Sequence, residues 1–261
     1  MKKILTIISL TIVCTLVFTA CSKKEEKKTT EGLSTVEAGK LTICSDIPYA
    51  PFEFLDGKDV VGIDADLISA IAKDNSLEAK FVDTDFDSIF AQLKAGKCDV
   101  VASSVSITDE RKMSNDFSDS YFTITQSLLV NNKDTETLTD LDKLSGKVIG
   151  VQSETTGADF AKESSEKDGY TVKEFTGADE LLSALRAGSI DGVIQDYPIN
   201  AYESTTNGSA TVTKKFEGDE GYGFVISKDN PELTKAINVS LKKLKSNDTY
   251  DKIVAKYLGT N

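Results

Sequence analysis

DSIFAQLKAGKCDVV (residues 87–101) recurs in the second half of the chain as DELLSALRAGSIDGV (residues 179–193), without gaps and at an offset of 92 residues (179 − 87). In both copies apolar residues at helical spacing are followed by a glycine and then by a short apolar run. Gly96 and Gly188 are therefore predicted to end the two helices. The repeat predicts that the chain builds one helix–strand unit twice, in two lobes.

The segments around the first copy alternate between strand-like and helix-like patterns. LTICS (41–45), AKFVDTD (79–85) and DVVASS (99–104) are predicted strands, and DADLISAIAKDN (64–75) is a predicted helix. Such alternation is typical of parallel strands flanked by helices. The sequence thus predicts the α/β class, with a mostly parallel sheet in each lobe.

Composition argues against several classes of function. The 261 residues contain no histidine, which removes Ser-His-Asp and Cys-His catalysis and most zinc sites. No Walker A or dinucleotide-binding motif occurs, and we expect neither a metal nor a cofactor. Without residues 1–20 the chain would carry 28 basic and 42 acidic residues, a net charge of −14, which argues against nucleic acid as a partner. This composition favours a binding protein over an enzyme.

The N-terminal region is predicted to lie apart from the fold. Residues 1–20 have the basic start and apolar run of a signal peptide. The sequence Thr19-Ala20-Cys21 resembles a lipobox, in which Cys21 becomes lipidated, and an uncleaved membrane anchor is the alternative. Residues 21–38 are polar and charged, which predicts a flexible tether. These features predict a lipid-anchored protein on the outer face of the cytoplasmic membrane, as in a Gram-positive cell.

Cys44 and Cys98 are the two cysteines that follow residue 21. Both lie at the edges of predicted strands, and two cysteines alone do not make a disulfide framework. We predict that they have packing roles, with a disulfide as the alternative.

Polar residues stand at the ends of four predicted strands. Asp46 follows LTICS, Ser103 and Ser104 end the strand of the first repeat copy, Gln152 follows KVIGV, and Asp196 ends the strand of the second copy. In open α/β sheets, ligands bind outside the carboxyl ends of the strands. We therefore expect these residues to face one cleft between the lobes.

Arg111 and Arg186 are the two arginines among 30 basic residues. In a chain that otherwise uses lysine, Arg111 suggests that the fork of a guanidinium is needed to bind a carboxylate through two parallel hydrogen bonds. A surface pair with Asp109 or Glu110 is the alternative. Arg186 stands in the middle of a predicted helix, and we predict that it lies on the surface.

Thr155 and Thr156 open a predicted helix in QSETTGADF (152–160). Free backbone N–H groups at a helix start favour an anion, and either threonine can also cap the helix. Asp196 could cap a helix that starts near Pro198, or it could accept hydrogen bonds from a ligand ammonium. With Arg111 for a carboxylate and Asp196 for an amine, the two lobes together would recognise an α-amino acid.

Seven motifs occur in one order along the chain: YAPFEF, VGIDADL, SSVSITDERK, DFSDSYF, GVQSETTG, DGVIQDYP and SNDTYDKIVAKYLG. Through them the chain from Leu41 to Gly259 resembles the extracellular solute-binding proteins of polar amino-acid ABC transporters (family 3). The resemblance implies a two-lobe periplasmic-binding-protein type II fold with the ligand cleft between the lobes. It also implies a monomer whose closed form docks on the permease of the importer.

The resemblance assigns roles at the backbone end of an amino-acid ligand. Arg111 would pair with the α-carboxylate, and Ser106 and Thr156 would add hydrogen bonds to it. Asp196 and the carbonyl of Ser104 would accept from the α-ammonium.

The side-chain end of the ligand would lie between Tyr49 and Phe86, whose rings would clamp it. Asp46, Ser103 and Gln152 would meet its polar tip. SSVSIT is similar to the motif of lysine, arginine, ornithine and histidine binders, and an acid between aromatic faces suits a guanidinium. A basic amino acid, arginine first, is therefore expected.

The resemblance also implies two crossings of the chain between the lobes, near Leu128–Asn132 and near Gly221–Phe224. Lobe 1 would comprise residues 39–129 and 223–261, and lobe 2 residues 130–222.

Several alternatives stay open at this point. Glutamine, cystine or another polar amino acid could be the ligand instead. Glu154 stands where the family frequently has glycine, which bears on fine specificity. An extracellular amino-acid sensor is a second class of function, and a dehydratase-like enzyme that uses Asp46, Glu154 or Asp196 is a third.

Overall fold

The computed structural model describes residues 33–259. The strands in chain order are β1 (Lys40–Ser45), β2 (Phe54–Asp56), β3 (Asp59–Val61), β4 (Glu78–Asp83), β5 (Val100–Val101), β6 (Asp116–Phe117), β7 (Phe122–Ile124), β8 (Gln126–Asn131), β9 (Val148–Gln152), β10 (Thr171–Phe175), β11 (Gly192–Asp196), β12 (Ala210–Lys215), β13 (Glu220–Tyr222) and β14 (Val225–Ile226). The helices are α1 (Ile63–Asp74), α2 (Ile89–Lys94), α3 (Asp109–Ser114), α4 (Thr156–Asp168), α5 (Ala178–Arg186), α6 (Tyr197–Thr206), α7 (Pro231–Ser246) and α8 (Thr249–Leu258).

Two five-stranded sheets have the same plan, and each defines one lobe. The sheet of the first lobe has the order β4-β1-β5-β14-β6, and that of the second lobe has the order β10-β9-β11-β8-β12. In each sheet the first three strands are parallel and the fourth is antiparallel to its neighbours. The fourth strand comes from the other half of the chain in both lobes, so the lobes are interlocked. The predicted α/β class and the two-lobe arrangement are confirmed.

The two copies of the repeat occupy equivalent places in these sheets. In the first copy α2 leads into β5, and in the second copy α5 leads into β11. Gly96 and Gly188 follow these helices with φ of +67° and +71°, a left-handed conformation that glycine adopts without steric strain. The helix ends are therefore where the repeat predicts them.

A hinge of two short antiparallel strands joins the lobes, because β7 pairs with β13. The boundary predicted at residues 129/130 falls inside β8, and every residue of β8 pairs within the second sheet. The first crossing is thus at β7, before Leu128–Asn132. The strand-like run FTITQSLLVN contains no glycine or proline that would mark the transition. The second crossing lies at β13 and the residues that lead into β14.

The core of the first lobe is formed by its sheet and the helices α1, α7 and α8. Ile68 and Ile71 of α1 and Ile237 and Leu241 of α7 are all at most 1% exposed. Their spacing of three or four residues places them on one face of each helix. Burial of each such side chain stabilises the fold by about 1.5–3 kcal/mol relative to its exposure.

A disulfide bond joins Cys44 to Cys98, so the predicted packing role for these cysteines is wrong and the alternative is correct. The reason is the register of the sheet. Cys44 of β1 lies opposite Val101 of β5, which brings Cys98, just before β5, to a Cα–Cα distance of 5.7 Å. The sequence alone does not reveal this pairing, because it does not specify the register of β1 against β5.

The described chain joins the first lobe a few residues earlier than predicted. Val36 donates its backbone N–H to Asp99 Oδ1 at 2.6 Å, and Asn230 Nδ2 donates to the carbonyl of Ser34 at 3.1 Å. These residues lie within the predicted tether, 21–38. Residues 34 and 36 are held by individual hydrogen bonds, which cannot be predicted from the spacing of apolar residues. The predicted signal peptide at 1–20, the lipidated Cys21 and the rest of the tether lie outside the described residues.

Within residues 33–259, no helix has the length and apolar character needed to cross a membrane.

Candidate ligand-binding site

One cavity between the lobes is lined by all of the residues that the sequence singled out for a ligand. These residues are Asp46, Tyr49, Phe86, Ser103, Ser104, Ser106, Arg111, Gln152, Thr155, Thr156 and Asp196. The cavity has a volume of about 20 Å³. This is far below the ~300–1,000 Å³ that is usual for ligand sites, so little free space separates the two lobes here.

The two sheets bring these residues together by the same device. Asp46 follows the carboxyl end of β1, and Ser103 and Ser104 follow that of β5. Gln152 and Asp196 end β9 and β11 in the second lobe. Because β1 and β5 correspond to β9 and β11, the carboxyl ends of both sheets open onto the same cavity.

Besides a longer contact of Thr156 Oγ1 with Ser106 Oγ at 3.5 Å, two side-chain hydrogen bonds cross the cavity from lobe to lobe. Tyr49 Oη donates to Asp196 Oδ2 at 3.1 Å, and Gln152 Nε2 donates to Asp46 Oδ2 at 2.6 Å. All four side chains are nine-tenths or more buried. The groups that line the cavity thus also hold the two lobes together.

Arg111 lies near one end of the cavity and reaches both lobes. Its Nη1 donates to the carbonyl of Ser106 at 2.9 Å, and its Nη2 donates to the carbonyl of Glu154 in the second lobe at 2.8 Å. Its guanidinium lies 5.6 Å from the ring centroid of Phe86 and 5.4 Å from that of Phe90, within cation–π range. Burial lowers the pKa of Arg111 from its ordinary value, but an arginine stays charged at any physiological pH.

The alternative reading of Arg111, a surface pair with Asp109 or Glu110, does not hold. Among the ion pairs of residues 33–259, none joins Arg111 to either acid, and Asp109 instead lies 3.9 Å from Lys112. The guanidinium faces the cavity and is available to a carboxylate.

The N-terminus of α4 lies at the same end of the cavity. Thr155 is the N-cap, and its Oγ1 accepts from the backbone N–H of Ala158 at 3.1 Å, as predicted for one of the two threonines. Thr156 Oγ1 donates to Glu220 Oε2 at 2.7 Å. The positive end of this 13-residue helix and the guanidinium of Arg111 together favour an anion.

Asp196 has three hydrogen-bond donors around its carboxylate. Gln126 Nε2 donates at 2.6 Å, and Tyr49 and Tyr222 donate their hydroxyls. Burial raises the pKa of Asp196 to about 6, and the bonds from Tyr222 and Gln126 act against this shift. Asp196 occupies the N-cap position of α6, but within the described chain its side chain accepts no N–H of that helix. The carboxylate is therefore oriented by the hinge and the cavity and does not cap the helix.

Asp46 is the second carboxylate of the cavity. Burial raises its pKa to about 7, whereas the hydrogen bond from Gln152 lowers it. Asp83, Asp85 and Asp179 raise it further by repulsion. Among residues 33–259, no lysine or arginine forms an ion pair with Asp46. A buried acid without a cationic partner favours a cation from outside the chain.

Sequence reasoning missed two sets of residues that hold this site in place. The first set comes from the hinge region: Gln126 bonds to Asp196 and Glu220, and Tyr222 bonds to Asp196. The second set is Glu53 and Asp64, which lie behind the serines that follow β5. Glu53 and Asp64 do stand in the motifs YAPFEF and VGIDADL, where an acid in an apolar run was the available signal.

Arg186 is exposed, as predicted, and it also pairs with a buried acid. Its side chain is 36% exposed, and its Nη1 donates to the buried Glu203 at 2.6 Å. The turn of α5 that carries it packs near α6, which the sequence alone does not specify.

No cluster of three or more His, Cys, Asp or Glu side chains suited to a metal ion occurs in the part of the chain that the structure describes.

Comparison with known proteins gives consistent results in sequence and in structure. The lysine/arginine/ornithine-binding periplasmic protein of Escherichia coli (strain K12) is 35% identical over 247 residues, which cover 88% of this chain and 94% of that protein. An ancestral arginine-binding protein, solved bound to arginine, superposes with a TM-score of 0.81 at 34% identity and covers 85% of this chain and 99% of its own. The ancestral amino acid-binding protein AncCDT-1, a precursor of cyclohexadienyl dehydratase, gives a TM-score of 0.79 at 34% identity, with coverage of 84% and 95%.

The family match spans nearly all of the described structure. Residues 41–260 match the bacterial extracellular solute-binding proteins, family 3. Both lobes, the hinge and every residue of the cavity lie in this range. The chain belongs to the bacterial extracellular solute-binding proteins, family 3.

Proposed function

We propose that this protein binds a basic amino acid, with arginine preferred, and delivers it to the permease of an ABC importer. The observation that carries the proposal is the environment of Asp46. This carboxylate is buried in the cavity beside the rings of Tyr49 and Phe86, and its bonded partner is a neutral amide, that of Gln152. A guanidinium or an ammonium would supply the missing positive charge.

The opposite charges of an amino-acid backbone have complementary partners elsewhere in the cavity. The α-carboxylate would lie against Arg111 and the N-terminus of α4, with Ser106 and Thr156 beside it. The α-ammonium would lie against Asp196 and the carbonyl of Ser104. The arginine-bound solved relative supports this assignment, since it shares the fold over 85% of the chain.

Binding would be coupled to closure of the hinge. A ligand between Asp46 and Asp196 would replace the direct bonds that Gln152 and Tyr49 make across the cavity. The lobes, which lie together in this structure, would open to admit the ligand and close again on it, and the closed form would present the surface that the permease recognises. We propose that the protein acts as a monomer, anchored outside the membrane through lipid at Cys21.

Glutamine is the second candidate ligand, and one contact favours it. The amide Nε2 of Gln152 already donates to Asp46 at 2.6 Å. A ligand amide could take the same place without supplying a charge. Arginine differs from glutamine in neutralising Asp46 as well as donating to it.

We propose that the protein is not an enzyme. The side chain of Glu154, one of the three acids considered for acid–base chemistry, is exposed and does not line the cavity. Asp46 and Asp196 are both engaged by hydrogen-bond donors suited to holding a charged ligand. A measurable conversion of the bound amino acid would contradict this proposal.

A thermal-shift screen tests the ligand. The chain from residue 22 onward is heated with each of the twenty amino acids, ornithine, citrulline and cystine, each at 1 mM. A ligand at about 100 times its dissociation constant adds ~2.7 kcal/mol of stability. We expect the largest shift with arginine and smaller shifts with lysine, ornithine or histidine. A shift with glutamine or cystine alone would contradict the basic ligand, and no shift with any compound would contradict amino-acid binding.

A further inference from the structure

Two carboxylates lie directly behind the cavity without lining it. Glu53, from the loop after β1, and Asp64, from α1, are both 0% exposed. In residues 33–259 neither forms an ion pair with a lysine or an arginine. Burying two acids without a cationic partner lowers the stability of the fold, which suggests that the pair has a function. The proposed ligand contacts do not include either residue.

Glu53 determines where the hydroxyl protons of two cavity serines point. Ser103 Oγ donates to Glu53 Oε1 at 2.9 Å, and Ser104 Oγ donates to Glu53 Oε2 at 3.4 Å. Ser103 Oγ also accepts from the backbone N–H of Asp46 at 3.0 Å. A serine hydroxyl has one proton and two lone pairs. The hydroxyl of Ser103 donates its proton to the hydrogen bond with Glu53, and one of its lone pairs accepts from the N–H of Asp46. One lone pair of Ser103 is therefore left to accept from a ligand in the cavity.

Asp64 holds the backbone of the same segment. Its Oδ2 accepts from the N–H of Ser104 at 2.8 Å and from Tyr121 Oη at 2.6 Å. Ser104 has φ of +50°, an uncommon conformation for a residue other than glycine. Asp64 therefore stabilises the turn that places Ser103 and Ser104 at the cavity wall.

We propose that Glu53 is a positioning residue that sets the specificity of the cavity: by accepting hydrogen bonds from the hydroxyls of Ser103 and Ser104, it makes both serines hydrogen-bond acceptors toward the ligand. Such a wall accepts from a guanidinium or an ammonium and rejects a side-chain carboxylate. The amide of glutamine can turn either its NH₂ or its oxygen toward the wall, so its binding depends less on whether the serines donate or accept. The inference rests on the proposed function and extends it to a residue that does not touch the ligand.

The same geometry links ligand binding to a proton. If Glu53 is neutral, its own O–H can donate to Ser103 Oγ, and the proton of Ser103 then turns toward the cavity. The wall then presents a donor, which opposes a cationic ligand. A bound cation thus favours the charged form of Glu53, and the proton that Glu53 loses passes to solvent.

The groups around Glu53 favour its neutral form before a cation arrives. Asp64 faces it from α1, Asp46 from the end of β1, Tyr49 from its own loop and Tyr121 from the segment before β7. Burial raises the pKa of Glu53 well above its ordinary value, and repulsion from Asp64 and Asp46 adds to the shift. Arginine binding should therefore release protons.

The test compares wild type with Glu53→Gln by titration calorimetry, using L-arginine and L-glutamine from pH 5.5 to 8.5. Two buffers of different ionisation enthalpy give the number of protons released. We expect wild type to release protons on binding arginine and to gain affinity as pH rises. At pH 8, where Asp46 with its pKa of about 7 is largely ionised before the ligand binds, the release should fall by at least half in Glu53→Gln. The ratio of arginine to glutamine affinity should fall at least tenfold. Glu78→Gln, at an exposed acid on β4, is the matched control and should change neither quantity.

A second variant shows whether Glu53 acts through the serine. Ser103→Ala keeps Glu53 but removes the hydroxyl, so it should itself lower the arginine-to-glutamine ratio. In the Ser103→Ala background, Glu53→Gln should have an effect at least threefold smaller than in wild type. Ser103→Ala also carries the test if Glu53→Gln fails to fold.

The outcomes separate this inference from the proposed function. If wild type does not prefer arginine, the proposed function fails. If wild type prefers arginine but Glu53→Gln behaves like Glu78→Gln, the positioning role of Glu53 is refuted. Equal effects of Glu53→Gln with and without Ser103 would also refute it, because they would show that Glu53 acts through its charge alone.

Discussion

Asp46→Asn is the sharpest test of how the cavity recognises a cationic side chain. The substitution keeps the shape of the residue and an oxygen that can accept from Gln152 Nε2, which lies 2.6 Å from Asp46 Oδ2. It removes the charge of a side chain that is 9% exposed. Arginine would lose its charged partner, whereas the uncharged isostere citrulline would lose little.

The expected size follows from the burial of this carboxylate. Two unit charges at about 4 Å interact by about 4 kcal/mol at an effective dielectric constant of about 20. Loss of one member of a buried, hydrogen-bonded charge pair costs about 2–5 kcal/mol. Part of this is recovered, because Asn no longer carries an unpaired buried charge. We expect a loss of about 2–4 kcal/mol for arginine, roughly 30- to 700-fold in affinity, and less than about 5-fold for citrulline.

Titration calorimetry at pH 8 measures both ligands. This pH lies above the pKa of Asp46, which burial raises to about 7, so the wild-type carboxylate is ionised. Asp87→Asn, at a nearby exposed acid, is the control and should bind both ligands as wild type does. Equal losses for arginine and citrulline would refute the reasoning. They would show that Asp46 acts by joining the lobes through Gln152, because a defect in closure weakens every ligand alike.

Three further predictions concern the other groups of the first lobe and the cavity. Arg111→Lys should weaken arginine and glutamine equally, by at least tenfold, because a point charge replaces the fork that meets the shared α-carboxylate; calorimetry showing a loss for arginine alone would contradict this role. Replacing Cys44 and Cys98 by serine opens a link between residues 54 apart, which should lower the free energy of unfolding by about 4 kcal/mol in urea titrations; an unchanged midpoint and slope would contradict it. Because burial raises the pKa of Asp46 to about 7 and of Asp196 to about 6, the folded protein holds protons that the unfolded chain loses above about pH 4. The contribution of these two groups to stability should therefore fall as pH rises from about 4 to 7 in melting curves without ligand, and Asp46→Asn should flatten that fall; an equally steep fall in the variant would count against it.

The cavity could be predicted from the sequence because its residues stand at the ends of strands. The position of Asp46, Gln152 or Asp196 in space depends on the order of strands in its own lobe, and the repeat of residues 87–101 at 179–193 indicates that both lobes share one helix–strand unit. When the carboxyl ends of both sheets face each other, the side chains at those ends lie in one cleft. No other feature of the sequence is needed to predict this.

The features that the sequence did not reveal depend on pairings between distant segments. The disulfide requires the register of β1 against β5. The position of the hinge and the support of Asp196 by Tyr222 require β7 to pair with β13, almost 100 residues later in the chain. The local sequence of such segments does not indicate which distant segment they pair with. Gln126 in particular looks like an ordinary residue of a strand.

Glu154 shows how a departure from a family preference acquires a physical meaning in the structure. Its φ is +61°, in the left-handed region, where glycine is favoured and another residue is strained by about 1–2 kcal/mol. In this conformation its carbonyl accepts from Arg111 Nη2 at 2.8 Å across the cavity. The side chain itself is exposed, so its carboxylate has no part in the wall of the cavity. What matters at this position is therefore the backbone, which helps to orient the guanidinium. The proposed specificity for the ligand side chain rests instead on Asp46 and on the serines bonded to Glu53.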